Sequence, residues 1–215
     1  MDDVRFTVPL YTATTAARHL GISVNRLRYW ANKDKLLTAI SDTKRGANLP
    51  FIALVEAQLY CVFRNGNLSW QAITSGMQKV RAELGDDMFA EGRLAYDMTG
   101  ILMNLAETSM APEWIRARDL QTTIPRIVEE GLRLITWDDQ HYPQAIKLTV
   151  YGDADIVADY RYAFGQPVIK GTRTRVDDVI HLFRAGETLK TICEEFMVEG
   201  NIAESIIRAH VANAA

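Results

Sequence analysis

Tyr11-Thr12-Ala13-Thr14-Thr15-Ala16-Ala17-Arg18-His19-Leu20-Gly21-Ile22-Ser23-Val24-Asn25-Arg26-Leu27-Arg28-Tyr29-Trp30 is the stretch on which the reading of this chain turns. The Thr12 hydroxyl can cap a short helix running to Leu20, in which Ala16, Ala17 and Leu20 fall on one buried face. Gly21 then supplies the left-handed residue that ends it. Ser23 caps a second helix, which carries Val24, Leu27 and Tyr29-Trp30-Ala31 with Asn25, Arg26 and Arg28 among them; from the residues alone Tyr29 and Trp30 could both be core. Two small alanines allow the helices to cross closely, and a capped N-terminus points its free N–H groups at phosphate. These features predict a helix-turn-helix from Thr12 to about Leu36 that reads DNA.

Working outward, Leu36–Ile40 is expected as a short strand, and the polar turn Ser41-Asp42-Thr43-Lys44-Arg45-Gly46 as a wing. Ile52, Val55, Leu59 and Val62 form one helical stripe, Gly66-Asn67 breaks it, and Ser69 caps a further helix carrying Trp70, Ile73, Met77, Val80 and Leu84. The charge distribution supports a functional division. Residues 1–50 hold eight Lys/Arg against four Asp/Glu, a net +4, whereas the whole chain is −3, so the remainder is acidic by −7. A basic head meets phosphate and an acidic body meets something else. With 215 residues, 48% of them apolar, the chain can fold as one domain or two small ones. It begins without a basic segment followed by an apolar run and has no apolar stretch long enough to span a bilayer, so a cytoplasmic protein is expected. Cys61 and Cys193 are far apart and read as small core residues rather than a disulfide or a zinc cage.

The middle is less regular. Leu94 and Tyr96, the turn Asp97-Met98-Thr99-Gly100, and Ile101-Leu102-Met103 read as a β-hairpin; Ile124–Leu132 reads as a helix, and Leu134–Trp137 and Ile146–Val150 as strands, with Tyr142-Pro143 in a loop. From Asp155 come a strand at Ile156–Ala158, a turn system at Gly165 and Gly171, and three short helices with stripes at Val176/Val179/Ile180/Phe183, Leu189/Ile192/Phe196 and Ile202/Ile206/Val211. The expected architecture is mainly α with small β elements (α+β). It comprises an N-terminal winged helix-turn-helix (1–84), a short α+β connecting and dimerising region (85–150), and a C-terminal β-hairpin plus three-helix bundle (151–215).

The Tyr11–Trp30 pattern, with Phe51, Leu54 and Arg64-Asn65-Gly66-Asn67-Leu68-Ser69, resembles the MerR-like winged-helix family as far as about Leu84. The resemblance implies that Ser23, Asn25 and Arg26 approach bases or phosphates, that Arg28 and Tyr29 hold the DNA backbone, and that Lys44 and Arg45 track phosphates from the wing. After Leu84 the chain lacks that family's long dimerising helix and cysteine-lined effector loop, which puts metal or drug sensing in doubt. Phe164-Gly165-Gln166-Pro167-Val168-Ile169-Lys170-Gly171-Thr172-Arg173, with Val176 and Ala185-Gly186-Glu187-Thr188, resembles a bacterial domain of unassigned function with the signature G-x-P-[VI]-[IV]-x-G-T-R before three helices. Members of that family often act as antitoxins. Together the two halves resemble VapB-type antitoxins, which implies a PIN-domain ribonuclease toxin as partner, operator DNA as ligand, autorepression, and a homodimer.

By that resemblance the toxin is inhibited through basic side chains, for which Lys170, Arg173 and Arg175 are candidates, or through an apolar surface, for which Ile202, Ile206 and Ile207 are candidates. From the residues alone, Arg173 could instead pair with Asp159 and staple the strand to the bundle. The C-terminal helices also have helix-turn-helix proportions, but Glu187, Glu194, Glu195 and Glu199 weigh against a DNA contact there. Asp138, Asp139 and His141 have the spacing of a polar turn, not of metal ligands on one helical face. His19, His181 and His210 lie in helices and need no functional account. With no nucleophile elbow, phosphate-cradling loop or nucleotide fingerprint, an enzyme is not expected, nor a cofactor or metal. The competing reading is a stand-alone regulator whose body binds a small ligand or only itself.

Overall fold

A computed structural model describes residues 3–32, 36–40, 47–66, 70–85 and 117–214, together with positions 89 and 99. After a four-residue helix α1 (Val4–Thr7), strand β1 (Tyr11–Thr12) leads into α2 (Ala13–Leu20) and α3 (Val24–Asn32). Thr12 and Thr15 form a reciprocal capping box, and Gly21 closes α2 at φ 67°. The Ser23 hydroxyl accepts from the Arg26 amide at 3.2 Å, capping α3. Ala16, Ala17, Leu20, Leu27 and Trp30 are buried, so the faces expected to be apolar are the ones packed.

The strand expected at Leu36–Ile40 does not form. Leu36 and Leu37 are both buried, and the Leu36 carbonyl is turned toward helix side chains, accepting from Tyr60 Oη at 2.8 Å and Arg81 Nη2 at 2.9 Å. A strand alternates its side chains and offers its carbonyls to a neighbouring strand; this segment does neither. Pairing passes to β2 (Ala47–Leu49), which lies antiparallel to β1, and only the Ile40 amide joins in, donating to Asn48 O at 2.9 Å. The wing turn at 41–46 and most of the hairpin expected at 94–103 lie outside the described residues.

Helix α4 (Phe51–Asn65) is buried along its first ten residues and forms the axis of the molecule. Trp30 is a core residue: its ring stacks on Trp70 of α5 (Trp70–Leu84) at 5.0 Å and meets Tyr60 edge-on at 5.9 Å. On its other side α4 receives α6 (Ala117–Leu132), which starts earlier than the stripe at Ile124 suggests. Four antiparallel strands follow in the order β3 (Ile135–Trp137), β4 (Pro143–Lys147), β5 (Ile156–Asp159), β6 (Val168–Ile169). The strand expected at Ile146–Val150 begins instead at Pro143, because Thr149–Tyr151 turn into a 3-10 helix that buries Tyr151. The C-terminal hairpin is β5–β6, and β5 is also bonded to β4, so one sheet runs across residue 150. Ile135, Ile146, Ile156, Ala158 and Ile169 cover its core face. The chain ends with α7 (Val176–Arg184), α8 (Leu189–Phe196) and α9 (Gly200–Ala214). The fold is thus mainly α with small antiparallel β elements, as expected. Among the described residues no helix is long and apolar enough to cross a membrane.

Candidate functional site

Ser23, Asn25, Arg26, Arg28 and Tyr29 are all exposed. At about 100° per residue, positions 25, 26, 28 and 29 fall within an arc of about 160°, opposite the buried Leu27. Arg26 and Arg28 form no ion pair with any described residue. Lys44 and Arg45 lie outside the described residues. Five of the seven side chains expected on DNA are therefore exposed, and four of them share one solvent-facing edge of α3.

The opposite edge of α2 is built into the C-terminal half. Arg18 Nη2 donates to both carboxylate oxygens of Asp177 on α7 at 2.8 and 3.0 Å. Buried His19 places Nδ1 2.8 Å from Tyr151 Oη and Nε2 3.3 Å from Arg18 Nη2. A guanidinium only donates, so Nε2 accepts and Nδ1 carries the proton given to Tyr151. Burial, aided by the Arg18 charge, lowers the imidazole pKa to about 4, against the weaker pull of Asp177. Tyr11 Oη donates to Gly165 O, Gln58 Nε2 donates to Thr149 Oγ1 at 2.9 Å, and Phe51 meets Tyr160 at 5.7 Å between ring centroids. His19 is thus part of the joint between the two halves and not merely a helix residue. Its partner lies 132 positions away, and nothing in the sequence pairs the two.

A second buried polar group fixes the chain after α3. Glu56 on α4 accepts from the Thr38 amide at 2.6 Å and the Thr38 hydroxyl at 3.0 Å, and pairs with Arg81 of α5. Burial raises its carboxyl pKa to about 7, while Arg81 and Thr38 oppose the rise.

The glycine-turn motif is mainly scaffold. Gly165 has φ 71°, and a Cβ there would stand 2.8 Å from both Leu10 Cδ1 and Tyr11 Oη, so it serves backbone freedom and the close approach of β1 at once. Gly171, at φ 78°, closes a turn in which Ile169 O accepts from the Thr172 amide at 3.0 Å and hydroxyl at 2.9 Å, and the Ile169 amide donates to Thr174 O at 3.0 Å. Pro167 is buried, and its carbonyl accepts from the Val176 amide at 2.9 Å, setting the start of α7.

Lys170, Arg173 and Arg175 remain exposed on this scaffold. Arg173 does not staple the strand: Asp159 is taken by Arg161, whose Nη2 donates at 3.0 Å, because Arg161 sits two residues away on the same turn. Arg175 is engaged by Asp178 at 2.6 Å, and Lys170 lies 3.8 Å from Asp155. Of the apolar candidates, Ile206 is fully buried and Ile202 and Ile207 are half-buried. The face carrying Ala203, Ile206 and Ala209 packs into the core, so Ile206 offers nothing to a partner. Asp138 Oδ1 accepts from the Gln140 and Tyr142 amides at 2.9 Å each, and Oδ2 takes Arg5 at 2.5 Å, the pattern of a polar turn. Among the described residues no group of three or more His, Cys, Asp or Glu side chains could hold a metal ion.

Comparison with known proteins follows this division. The family model described as "Protein of unknown function (DUF433)" matches residues 156–206, which run from β5 into α9. A Mycobacterium tuberculosis protein named "Putative antitoxin VapB45" is 31% identical over 218 residues, covering 91% of this chain and 91% of the relative. The chain belongs to the VapB-type antitoxin family. A crystal structure of Rv2018 from Mycobacterium tuberculosis superposes with a TM-score of 0.75 at 30% identity, covering 94% of this chain and 99% of that one. The likeness to the VapB-type relative therefore takes in the exposed α3 edge, the joint and the glycine-turn scaffold together, well beyond the residues matched by the domain model.

Proposed function

We propose that this chain neutralises a PIN-domain ribonuclease toxin and represses its own operon by binding operator DNA, acting as a homodimer in the cytoplasm. Kinship with an antitoxin over nearly the whole chain is the observation that carries this reading. The PIN identity of the toxin rests on the VapB-type resemblance, since toxins of that pairing hold metal ions with carboxylates. The DNA half rests on Arg26 and Arg28, which stand exposed beside Ser23 and Asn25 with no described ion-pair partner. A cation left uncompensated at a capped helix N-terminus releases counterions on meeting phosphate, and its fork can engage guanine. The MerR-like assignment of the head adds Lys44 and Arg45 as wing contacts. By the same division, toxin binding falls to residues 151–215 and DNA binding to residues 1–84.

Co-expression with the product of the neighbouring reading frame tests the reading. The tagged chain should retain a PIN-domain protein through purification, and the pair should shift a fragment of its own promoter. Arg26→Ala should lose discrimination between operator and scrambled DNA and still protect cells from the toxin. Failure to retain or silence a PIN-domain neighbour would refute the toxin assignment. Equal loss on both DNAs for Arg26→Ala would refute a base contact.

A further inference from the structure

Beside the DNA-facing edge of α3 lies a cleft of about 720 Å³ whose charge is one-sided. It opens between the α2–α3 turn, α3, the last turns of α4, the start of α5 and the 3-10 helix at Thr149–Tyr151. Arg26 and Arg64 line it, and no aspartate or glutamate stands among its described lining residues. Helical period puts both cations there. Positions 25, 26, 28 and 29 span an arc of about 160°, and Arg26 sits at the limit of that arc, about 40° from Trp30, so it borders the DNA edge and the cleft alike. Cys61, Arg64 and Asn65, at i, i+3 and i+4, share one face of α4. Burial pushes the Cys61 thiol up to about 11 while the Arg26 charge pulls it back, consistent with a guanidinium turned toward α4.

The rest of the lining is largely apolar, with Leu20, Ile22, Trp30, Trp70 and Val150 contributing. Its aromatic wall is held in place. Trp30 and Trp70 stack at 5.0 Å with ring planes 19° apart, and Tyr60 meets both edge-on, at 5.9 and 6.5 Å. Trp30 is buried in that stack, whereas Trp70 is only half-buried and presents part of its indole. A fixed aromatic and aliphatic wall with a few convergent charges, in a space of roughly 300–1,000 Å³, is the composition of a small-molecule site. Duplex phosphates would use the two cations but gain nothing from the indole and aliphatic surface.

We propose that this cleft binds a small planar anion, a ring system carrying a carboxylate, sulfonate or phosphate, with the ring against Trp70 and the charge met by Arg26 and Arg64, and that its occupancy releases operator DNA. The regulatory half rests on the DNA-binding reading of α3. Occupant chemistry follows from the lining: two cations without a carboxylate select an anion, and a fixed indole wall selects a flat ring. Arg26 cannot meet the charge of a ligand and a base or phosphate at once. Ligand and operator therefore compete for one guanidinium, and each lowers the affinity of the other by the same factor.

The test uses the full chain and naphthoate as probe, with naphthylmethanol as the ring without the charge and inorganic phosphate as the charge without the ring. Calorimetry at constant ionic strength gives each Kd. Naphthoate should bind in the submillimolar range, about tenfold or more tighter than either control, the value of a charge-assisted hydrogen bond added to ring burial. Arg64→Gln and Asn65→Glu lie on the exposed end of α4, so both should melt with the parent; each should weaken naphthoate about tenfold, one by removing a cation and the other by adding a carboxylate. Saturating naphthoate should lower the operator affinity of the parent about fivefold or more, and the same concentration should lower that of Arg64→Gln far less. No binding of naphthoate, or binding that neither variant weakens, overturns the site. Phosphate bound as tightly as naphthoate, with both variants weakening operator and scrambled DNA alike, would make the cleft a seat for the DNA backbone and overturn the proposal. Naphthoate held in the cleft with operator affinity unchanged overturns the competition. If the parent fails to bind operator, the DNA reading beneath the proposal falls, while calorimetry still decides the site.

Discussion

The α2–α3 pair and the α7–α9 bundle are built with the same local devices and differ in what their charges do. Both use threonine caps, Thr12 accepting from Thr15 and Thr188 from Thr191. Both end helices on left-handed residues, Gly21 at φ 67° in the head and Met197 at φ 53° in the bundle. In the bundle three cations are matched locally, Arg175 with Asp178, Lys190 with Glu194 and Arg208 with Glu204, while Arg184 donates to His210. In the head, Arg26 and Arg28 have no such match among the described residues, and Arg18 is turned inward to Asp177. Helical geometry alone therefore does not separate a DNA-reading unit from a protein-binding one. On the proposed reading, the unmatched cations at the solvent edge of α3 mark it as the DNA-reading unit, because unmatched cations gain from releasing phosphate counterions.

The comparison breaks first at charge reversal. Arg26→Glu/Arg28→Glu should lower operator affinity by about a hundredfold or more and flatten its salt dependence by roughly two ion equivalents, given about 1–3 kcal/mol per lost contact. Lys190→Glu/Arg208→Glu in the bundle should change it less than about threefold, since each reversal also disturbs a local pair of small value. Mobility shifts across a salt series measure both, and equal losses would erase the distinction.

The second prediction concerns the joint. Gly165→Ala places a methyl in a left-handed backbone and within 2.8 Å of Leu10 and Tyr11. It should cost about 2–3 kcal/mol of stability in denaturant unfolding. Gly152→Ala, also at positive φ but with no heavy atom near its Cβ, should cost less. A loss at Gly165 no greater than at Gly152 would mean that the β1 contact contributes nothing.

A third prediction uses pH. The folded pKa of His19, about 4, lies below the ordinary histidine value of 6.5, so as pH falls the unfolded chain takes the proton first. The stability conferred by neutral His19 is present above pH 6.5 and is lost as pH falls toward 4. Buried Glu56, raised to about 7, works in the opposite direction, its contribution falling as pH rises from 4.5 through 7. The two partly cancel in the parent, so His19 is isolated by subtraction. The stability of the parent minus that of His19→Gln should shrink by about 2 kcal/mol between pH 7 and pH 5. A constant difference would show that the imidazole is not held neutral.

Smallest are the caps. Thr12→Ala and Thr188→Ala should each cost about 1 kcal/mol. Thr12→Ala should cost the more, since it opens a reciprocal box and loosens β1 beside Tyr11.

What could be read from the linear chain was whatever a few neighbouring residues settle among themselves. The caps at Thr12, Ser23 and Thr188, the left-handed glycines 21, 165 and 171, and the stripes of α4, α5 and α7 depend on bonds spanning three or four positions and on helical period, so residue identities specify them. The exposed edge Asn25–Arg26–Arg28–Tyr29 was legible for the same reason. Tertiary structure decided the rest. Leu36–Ile40 gave up its strand because Tyr60 and Arg81 take the Leu36 carbonyl, and Arg173 lost Asp159 to a closer arginine. Ile206 went inward because the sequence offered more apolar helix face than the solvent side of the bundle could use. The docking of the head through Tyr11–Gly165, Arg18–Asp177 and His19–Tyr151 joins groups more than 130 positions apart. Such contacts form only when distant elements converge on one core, and competition among several possible partners is resolved by distance in space, which the order of residues along the chain does not contain.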